Sequence, residues 1–307
     1  MQNFGIIIIG DEILSGKRAD KHLPKAIELL KARGLALSYA DYVGDDPARI
    51  TATLARAFAA ARASGDVVFS CGGIGATPDD HTRQCAAAAL GVELALHPEA
   101  KALIISRMQD VAKEQGVAFE PDRPDNIHRL DMGVFPMGAQ IIPNPYNKIP
   151  GFSCFVERDV PPTQQGPQDW LRQTAGAAAP SGGRELHAVN ERGGLHFLPG
   201  FPVMAWPMIE WVLDTHYPHL HQTSAYIEKS IIVFGSMEAT LTPLMVDIEA
   251  SHPGIKVFSL PSVDHATYGR HIELGVKGAP DAVALAYAAL LAGLGNFDYK
   301  LGPELVR

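Results

Sequence analysis

The chain of 307 residues is poor in several things, and each shortage excludes a class of protein. It has three cysteines, Cys71, Cys85 and Cys154, an odd number with no Cys-x-x-Cys pair. That excludes a disulfide framework and a zinc knuckle, and a reducing cytoplasm is the natural setting. The longest apolar run near the start, Phe4 to Ile9, is far too short to span a bilayer. No basic segment precedes it, so it does not read as a signal peptide, and no membrane partner is expected. Basic residues are in deficit: 26 Lys plus Arg stand against 34 Asp plus Glu, a formal net charge of −8. Such a chain is unsuited to a nucleic-acid partner bound through phosphate neutralisation, although one small phosphate ligand needs only a local pocket. What is present in quantity is apolar side chain, 47% of residues, with 20% charged, which suits a packed globular core.

The hydrophobic pattern begins β-α-β-α-β. Phe4–Ile9 is a β-branched run that fits a strand buried on both faces. Asp20 to Arg33 reads as a helix with Leu23, Ala26, Ile27 and Leu30 on one face, and Leu35 to Val43 as a second strand. Asp46-Pro47 starts a helix that runs to about Ser64, and Val67 to Ser70 is a third strand. This order predicts an α/β fold with a doubly wound, mostly parallel sheet. Helices follow over 81–90 and 98–115, then strands near 140–143, 152–157 and 194–198, and a helix over 203–214. Residues 159–183, rich in Pro and Gly, read as an insertion around one short helix near Trp170. Strands at 226–233, 256–260 and 271–276 and helices at 237–250 and 280–294 form a smaller α+β unit with a short tail. The expected domains are therefore 1–218 and 219–307.

Four loops could hold a ligand. Gly10-Asp11-Glu12 follows the first strand, at the carboxyl end where open α/β sheets bind ligands. Its two carboxylates could hold a metal or a ligand hydroxyl, or simply cap a turn. Cys71-Gly72-Gly73-Ile74-Gly75-Ala76-Thr77-Pro78-Asp79-Asp80-His81-Thr82 is the strongest signal. Three glycines between a strand and a helix let backbone amides approach an anion. It is neither a Walker A nor a Rossmann motif. Asp79 and Asp80 beside a phosphate turn call for a hard divalent cation, unless they only complement the helix dipole. The Pro- and Asn-rich segment Pro143 to Phe152 and the turn Leu198-Pro199-Gly200-Phe201-Pro202 complete the set, each readable alone as a structural turn.

Together, and in this order, the four segments resemble the molybdopterin-binding (MoaB/Mog-like) fold. More closely they resemble the N-terminal region of the competence/damage-inducible protein A (CinA) family. Gly10 to Gly16 matches its Gly-Asp-Glu-(Ile/Leu)-Leu-x-Gly, and Cys71 to Thr82 its Thr-Gly-Gly-(Leu/Ile)-Gly-Pro-Thr-x-Asp-Asp-x-Thr. Asn144 to Gly151 and Leu198 to Met204 match its later motifs in part. The resemblance implies a MoaB/Mog-like domain followed by a KH-like α+β unit. It implies a ligand bearing phosphate or pyrophosphate, and metal-dependent hydrolysis of a nucleotide pyrophosphate such as ADP-ribose. The alternatives are a non-catalytic molybdopterin or nucleotide binding protein and a pterin or flavin nucleotidyltransferase.

Carried over residue by residue, the resemblance places Gly72, Gly73 and Gly75 around the phosphates and gives Asp79 and Asp80 the catalytic role. Asp79, Asp80 and Asp11 would hold Mg, Mn or Co, with Glu12 facing the same cleft. Thr77 and Thr82 would add hydroxyl contacts or cap the helix. Gly10, Asn144, Lys148, Gly151, Pro199 and Gly200 would complete the ligand-binding set, with molybdopterin as a possible ligand and a homo-oligomer as the expected assembly. Four departures stand out: Met204 where the family has glutamate, Asn147-Lys148-Ile149 where it has glycine, a variable residue and alanine, His22 within its Asp-Thr-Asn, and Ala76 for proline. A thioether cannot replace a carboxylate on a hard cation. Lys148 could be a new phosphate contact. His216, His219 and His221 read as solvent-facing or dipole-complementing histidines rather than a metal site, and Cys71 as a small buried residue.

Overall fold

A computed structural model describes residues 2–159, 192–221 and 227–307. The expected insertion at 159–183 and its helix near Trp170 lie, Asp159 apart, outside the described residues. Contacts divide the chain into two units, 1–221 and 222–307.

The first unit contains, in order, β1 (Phe4–Ile9), α1 (Asp11–Leu14), α2 (His22–Lys31), β2 (Leu37–Val43), α3 (Pro47–Ser64), β3 (Val67–Cys71) and α4 (Thr82–Leu90). There follow β4 (Leu94–Leu96), α5 (Pro98–Glu114), α6 (Pro124–Arg129), β5 (Val134–Pro136), β6 (Gln140–Ile142), β7 (Gly151–Val156), β8 (Gly193–Leu198) and α7 (Pro202–His216). Six strands form one sheet in the order β2-β1-β3-β8-β7-β6. β2, β1, β3 and β8 are parallel, while β7 runs antiparallel to both β8 and β6. The sheet is thus mixed rather than purely parallel.

The unbroken apolar run of β1 follows from its central place. Ile7 and Ile9 enter a core with Leu54 and Phe58 of α3, while Ile6 and Ile8 enter a second core with Leu30 of α2 and Met208 of α7. With helices on both faces there is no solvent side, and alternation disappears. The α3 start is fixed by Asp46, whose carboxylate accepts the Arg49 amide at 2.8 Å, and by Pro47 in its first turn. In α2 the buried face is Ala26, Leu29 and Leu30, and Ile27 is exposed. The short pair β4–β5 and helix α6, unmarked in the hydrophobic pattern, lie between α4 and β6.

Between β7, β8 and the end of α7, His196 is fully buried. Its Nδ1 pairs with the Ser153 hydroxyl at 2.8 Å and its Nε2 with the Tyr217 hydroxyl at 2.8 Å. Burial pushes its pKa well below the ordinary histidine value. His216 packs against Phe155 and Trp211 instead of joining a metal cluster. Cys71 is buried, and its thiol is pushed upward by that burial.

The second unit contains β9 (Ile227–Phe234), α8 (Glu238–Ser251), β10 (Lys256–His265), β11 (Gly269–Gly278), α9 (Pro280–Leu294) and β12 (Lys300–Val306). Its antiparallel sheet has the order β10-β11-β9-β12. The expected short tail is in fact the strand β12, paired with β9 and anchored by Arg307, which donates to both carboxylate oxygens of Glu273 at 2.6 and 3.2 Å. The KH-like expectation for this unit rests on the sequence resemblance alone. No helix among the described residues is long and apolar enough to cross a membrane.

Candidate functional site

The parallel strands bring four loops to one edge. β1, β2, β3 and β8 all end there, and β6, parallel to β8 through β7, delivers residues 143–150 to the same edge. The four sequence motifs therefore meet, although they are distant along the chain. Contact is direct: the Gly72 amide donates to the Leu198 carbonyl at 3.0 Å, and a methyl added to Gly200 would lie 3.5 Å from the Gly72 Cα. Pro199 continues β8 into this turn.

The glycines have specific reasons to be there. Gly72 has φ 112° and Gly73 φ 68°. A Cβ on Gly72 would fall 2.2 Å from the Ile9 carbonyl oxygen, so β1 and the loop could not close against each other. Thr82 is fully buried; its hydroxyl donates to the Gly72 carbonyl at 3.0 Å and its amide to that of Gly73 at 3.0 Å. It ties down the loop from inside. Asp80 also serves the loop. Its Oδ2 accepts the Thr77 amide at 2.8 Å and the Thr77 hydroxyl at 2.6 Å. The same hydroxyl, close to the exposed Asp79, helps hold that carboxyl below its usual range. Against this, the amides of Gly73, Ile74, Gly75 and Ala76 donate to no acceptor among the described residues. Consecutive backbone N–H groups without an internal acceptor are available to an anion.

The acidic side of the edge is larger than the sequence suggested. Asp11 and Asp45 are reciprocal: the Asp11 amide donates to Asp45 Oδ2 at 2.9 Å, and the Asp45 amide to Asp11 Oδ1 at 3.2 Å. Burial raises the Asp45 carboxyl, the Asp11 amide opposes the rise, and the charges of Asp11, Glu12 and Asp79 add to it. These carboxylates sense one another, but they are not assembled as ligands. Among the described residues no three His, Cys, Asp or Glu side chains come together to hold a metal ion. Asp11, Asp79 and Asp80 are not brought together as a three-carboxylate ligand set among the described residues. Glu12 lies in the first turn of α1, after Gly10 and Asp11.

The 143–150 loop is organised from within. Asn144, 5% exposed, donates to Asn147 Oδ1 at 2.8 Å and the Ile149 carbonyl at 2.9 Å, and accepts the Tyr146 amide at 3.0 Å. It shapes the loop; its side chain is spent. Lys148 adopts φ 65° and donates to Ser106 Oγ at 3.1 Å and to the Asp110 carboxylate, both on α5. Its ammonium is engaged by α5. Gly151 packs a backbone edge, since a Cβ there would lie 2.4 Å from the Phe197 carbonyl oxygen.

Four residues were missed by sequence reasoning. Asp45 had a faint signal in the doubled Asp45-Asp46. His22, 5% exposed, donates from Nε2 to the Gly200 carbonyl at 3.0 Å and so braces the turn. Arg83 and His128 line a pocket of about 360 Å³ beside Ala76, Thr77, Pro78 and Asp80. Nothing in their spacing signalled it, because α4 and α6 meet only in the fold.

The family described as "Probable molybdopterin binding domain" matches residues 5–222. The CinA-like protein of Anaeromyxobacter sp. (strain K) is 30% identical over 231 residues, which is 70% of this chain and 53% of that protein. The CinA-like protein of Mycobacterium tuberculosis (strain ATCC 25177 / H37Ra) is 26% identical over 285 residues, 91% of this chain and 56% of that protein. The chain thus spans about half the length of the curated relatives it matches. A solved CinA structure from Thermoplasma acidophilum, of unknown function, covers 69% of this chain and 96% of its own at 23% identity and a TM-score of 0.47.

Proposed function

This chain belongs to the molybdopterin binding domain family, and we propose that it binds a phosphorylated pterin or nucleotide at the carboxyl edge of its six-stranded sheet. The observation that carries this reading is the run of four free amides from Gly73 to Ala76, held open by Thr82 and Asp80. Those amides would take phosphate oxygens. Asp11 and Asp45, alongside, would accept ligand hydroxyl or ring N–H groups. Binding without hydrolysis is the favoured form, because one oxygen of Asp80 is engaged by Thr77 and Met204 stands where the family pattern has glutamate.

Hydrolysis of a nucleotide pyrophosphate such as ADP-ribose is the second reading, favoured by the mutual influence of Asp11, Glu12, Asp45 and Asp79. A divalent cation, if bound, would polarise the phosphoryl group. Since the carboxylates do not form a ligand set as placed, no step is derived through it.

The test is calorimetric titration with AMP and ADP-ribose in EDTA, beside product analysis of ADP-ribose with Mg²⁺ or Mn²⁺. Binding in EDTA without release of AMP is the expected result. Release of AMP that disappears in EDTA and in Asp79→Asn would establish the hydrolase instead. No binding of either nucleotide under any condition would sink nucleotide binding at this edge.

A further inference from the structure

The antiparallel sheet of the second unit has two open edges, β10 and β12. They differ. On β12 a bulge between Leu301 and Glu304 interrupts the ladder, and the end charges are engaged, Lys300 over the Phe234 ring and Glu304 by Lys229. β10 pairs regularly with β11 from Lys256 to Ser262 and carries two exposed apolar side chains, Leu260 at 51% and Val263 at 67%. One bond shows which of its backbone groups face outward. The Val257 amide donates to Glu249 Oε1 at 2.8 Å, so it points away from β11. Alternation then turns the Ser259 amide and the carbonyls of Ser259 and Pro261 outward as well. Pro261, which has no N–H, thus stands where β11 asks no donor of it. Outward backbone groups beside exposed leucine and valine are what a further strand pairs with.

The strand is also complementary to itself. Folded about Leu260, the segment Lys256-Val257-Phe258-Ser259-Leu260-Pro261-Ser262-Val263-Asp264 sets Lys256 against Asp264, Val257 against Val263 and Ser259 against Pro261. We propose that β10 pairs antiparallel with β10 of a second copy of this chain, about a two-fold axis at Leu260, joining the two four-stranded sheets into one. In this register each Ser259 amide donates to the carbonyl of the partner's Pro261, and the missing Pro261 N–H forfeits only the reciprocal bond. Leu260 meets the partner's Leu260 at the centre, and Val263 covers the partner's Val257. The Lys256 side chain, 70% exposed and 3.2 Å from Glu249, keeps donors for the partner's Asp264. A slip of two residues would set Asp264 against Phe258 and Lys256 against Ala266, so the charges fix the register. A strand-to-strand contact buries less than the roughly 1,000 Å² of a stable interface, so this dimer dissociates on dilution.

The experiment is cysteine cross-linking on the full chain, where the three natural cysteines are buried. Cα atoms of a non-hydrogen-bonded antiparallel pair lie about 4.5 Å apart, within reach of a disulfide. Leu260→Cys should therefore give a disulfide-linked dimer under mild oxidation. Lys256→Cys and Asp264→Cys should give one only when the two proteins are mixed. No cross-link from Leu260→Cys, or equal cross-linking of each variant alone, would overturn the pairing. Sedimentation equilibrium supplies a second measure without oxidation. Asp264→Lys, which sets like charges across the axis twice, should weaken the dimer about fivefold or more, and adding Lys256→Glu should recover most of the loss. Leu260→Lys should abolish it. All three positions are exposed, so each variant keeps its fold. A chain that stays monomeric when concentrated overturns the proposal, as does a dimer that neither Leu260→Lys nor Asp264→Lys weakens, since its contact then lies elsewhere.

Discussion

The Asn147 side-chain amide donates to the Met204 sulfur at 3.3 Å. Two departures from the family pattern, far apart in sequence, are therefore one contact across the site. Asn147 Oδ1 also accepts from Asn144 at 2.8 Å and from the Ile149 amide at 3.1 Å. Asn147→Ala should thus cost about 1–2 kcal/mol, while Met204→Leu, which loses only a weak acceptor, should cost less than about 0.5 kcal/mol. Urea denaturation of both variants checks the order; equal costs would mean that the sulfur contact matters as much as the loop bonds.

Glycine replacements should rank by what the new methyl meets. At Gly72 it meets backbone, the Ile9 carbonyl at 2.2 Å, and φ is 112°. Gly72→Ala should cost about 3 kcal/mol or more and abolish anion binding. At Gly91, φ is 69° but nothing lies within 4 Å, so Gly91→Ala should cost only about 1 kcal/mol and leave binding intact. Thermal melts and AMP titrations of the two proteins make the comparison.

Stability should fall in mild acid through His196. Its pKa is depressed in the folded state, so below the ordinary histidine pKa of about 6.5 the unfolded chain binds the proton that the folded chain refuses. The contribution is complete above that pH and is lost as the pH falls below it. His216, lowered by burial as well, adds in the same direction. Urea midpoints for the natural chain should drop between pH 7.5 and 5.5, and His196→Leu, though less stable at pH 7.5, should show a smaller drop. An unchanged drop would assign the effect to other groups.

Lys148 should be dispensable for the ligand. Its ammonium is held by Asp110 and Ser106 on α5. Lys148→Ala should change AMP affinity by less than about twofold, as measured by calorimetry. A tenfold loss would show that Lys148 leaves Asp110 to meet the phosphate.

Much of the site was legible because its signals are local. Gly72 and Gly73 declare a turn that only residues without Cβ can make, and Asp46-Pro47 declares a helix start. The roles of individual polar groups were not legible. Thr82 and Asp80 look like ligand contacts in a motif, yet the Thr82 hydroxyl and one oxygen of Asp80 hold the loop. Lys148 looks free until α5 supplies Asp110. A side chain's availability depends on which partner reaches it first, and that is a matter of three-dimensional placement.

The sequence by itself determined the order of the longer strands and helices, the burial of β1 on both faces and the glycine loop, because periodicity and backbone conformation are set within a few residues. Only the tertiary structure decided that the terminal segment is the strand β12, that Asp45 joins Asp11, and that Arg83 and His128 line one pocket. Each of these needs distant segments to meet, and no spacing along the chain encodes the distance between them in space.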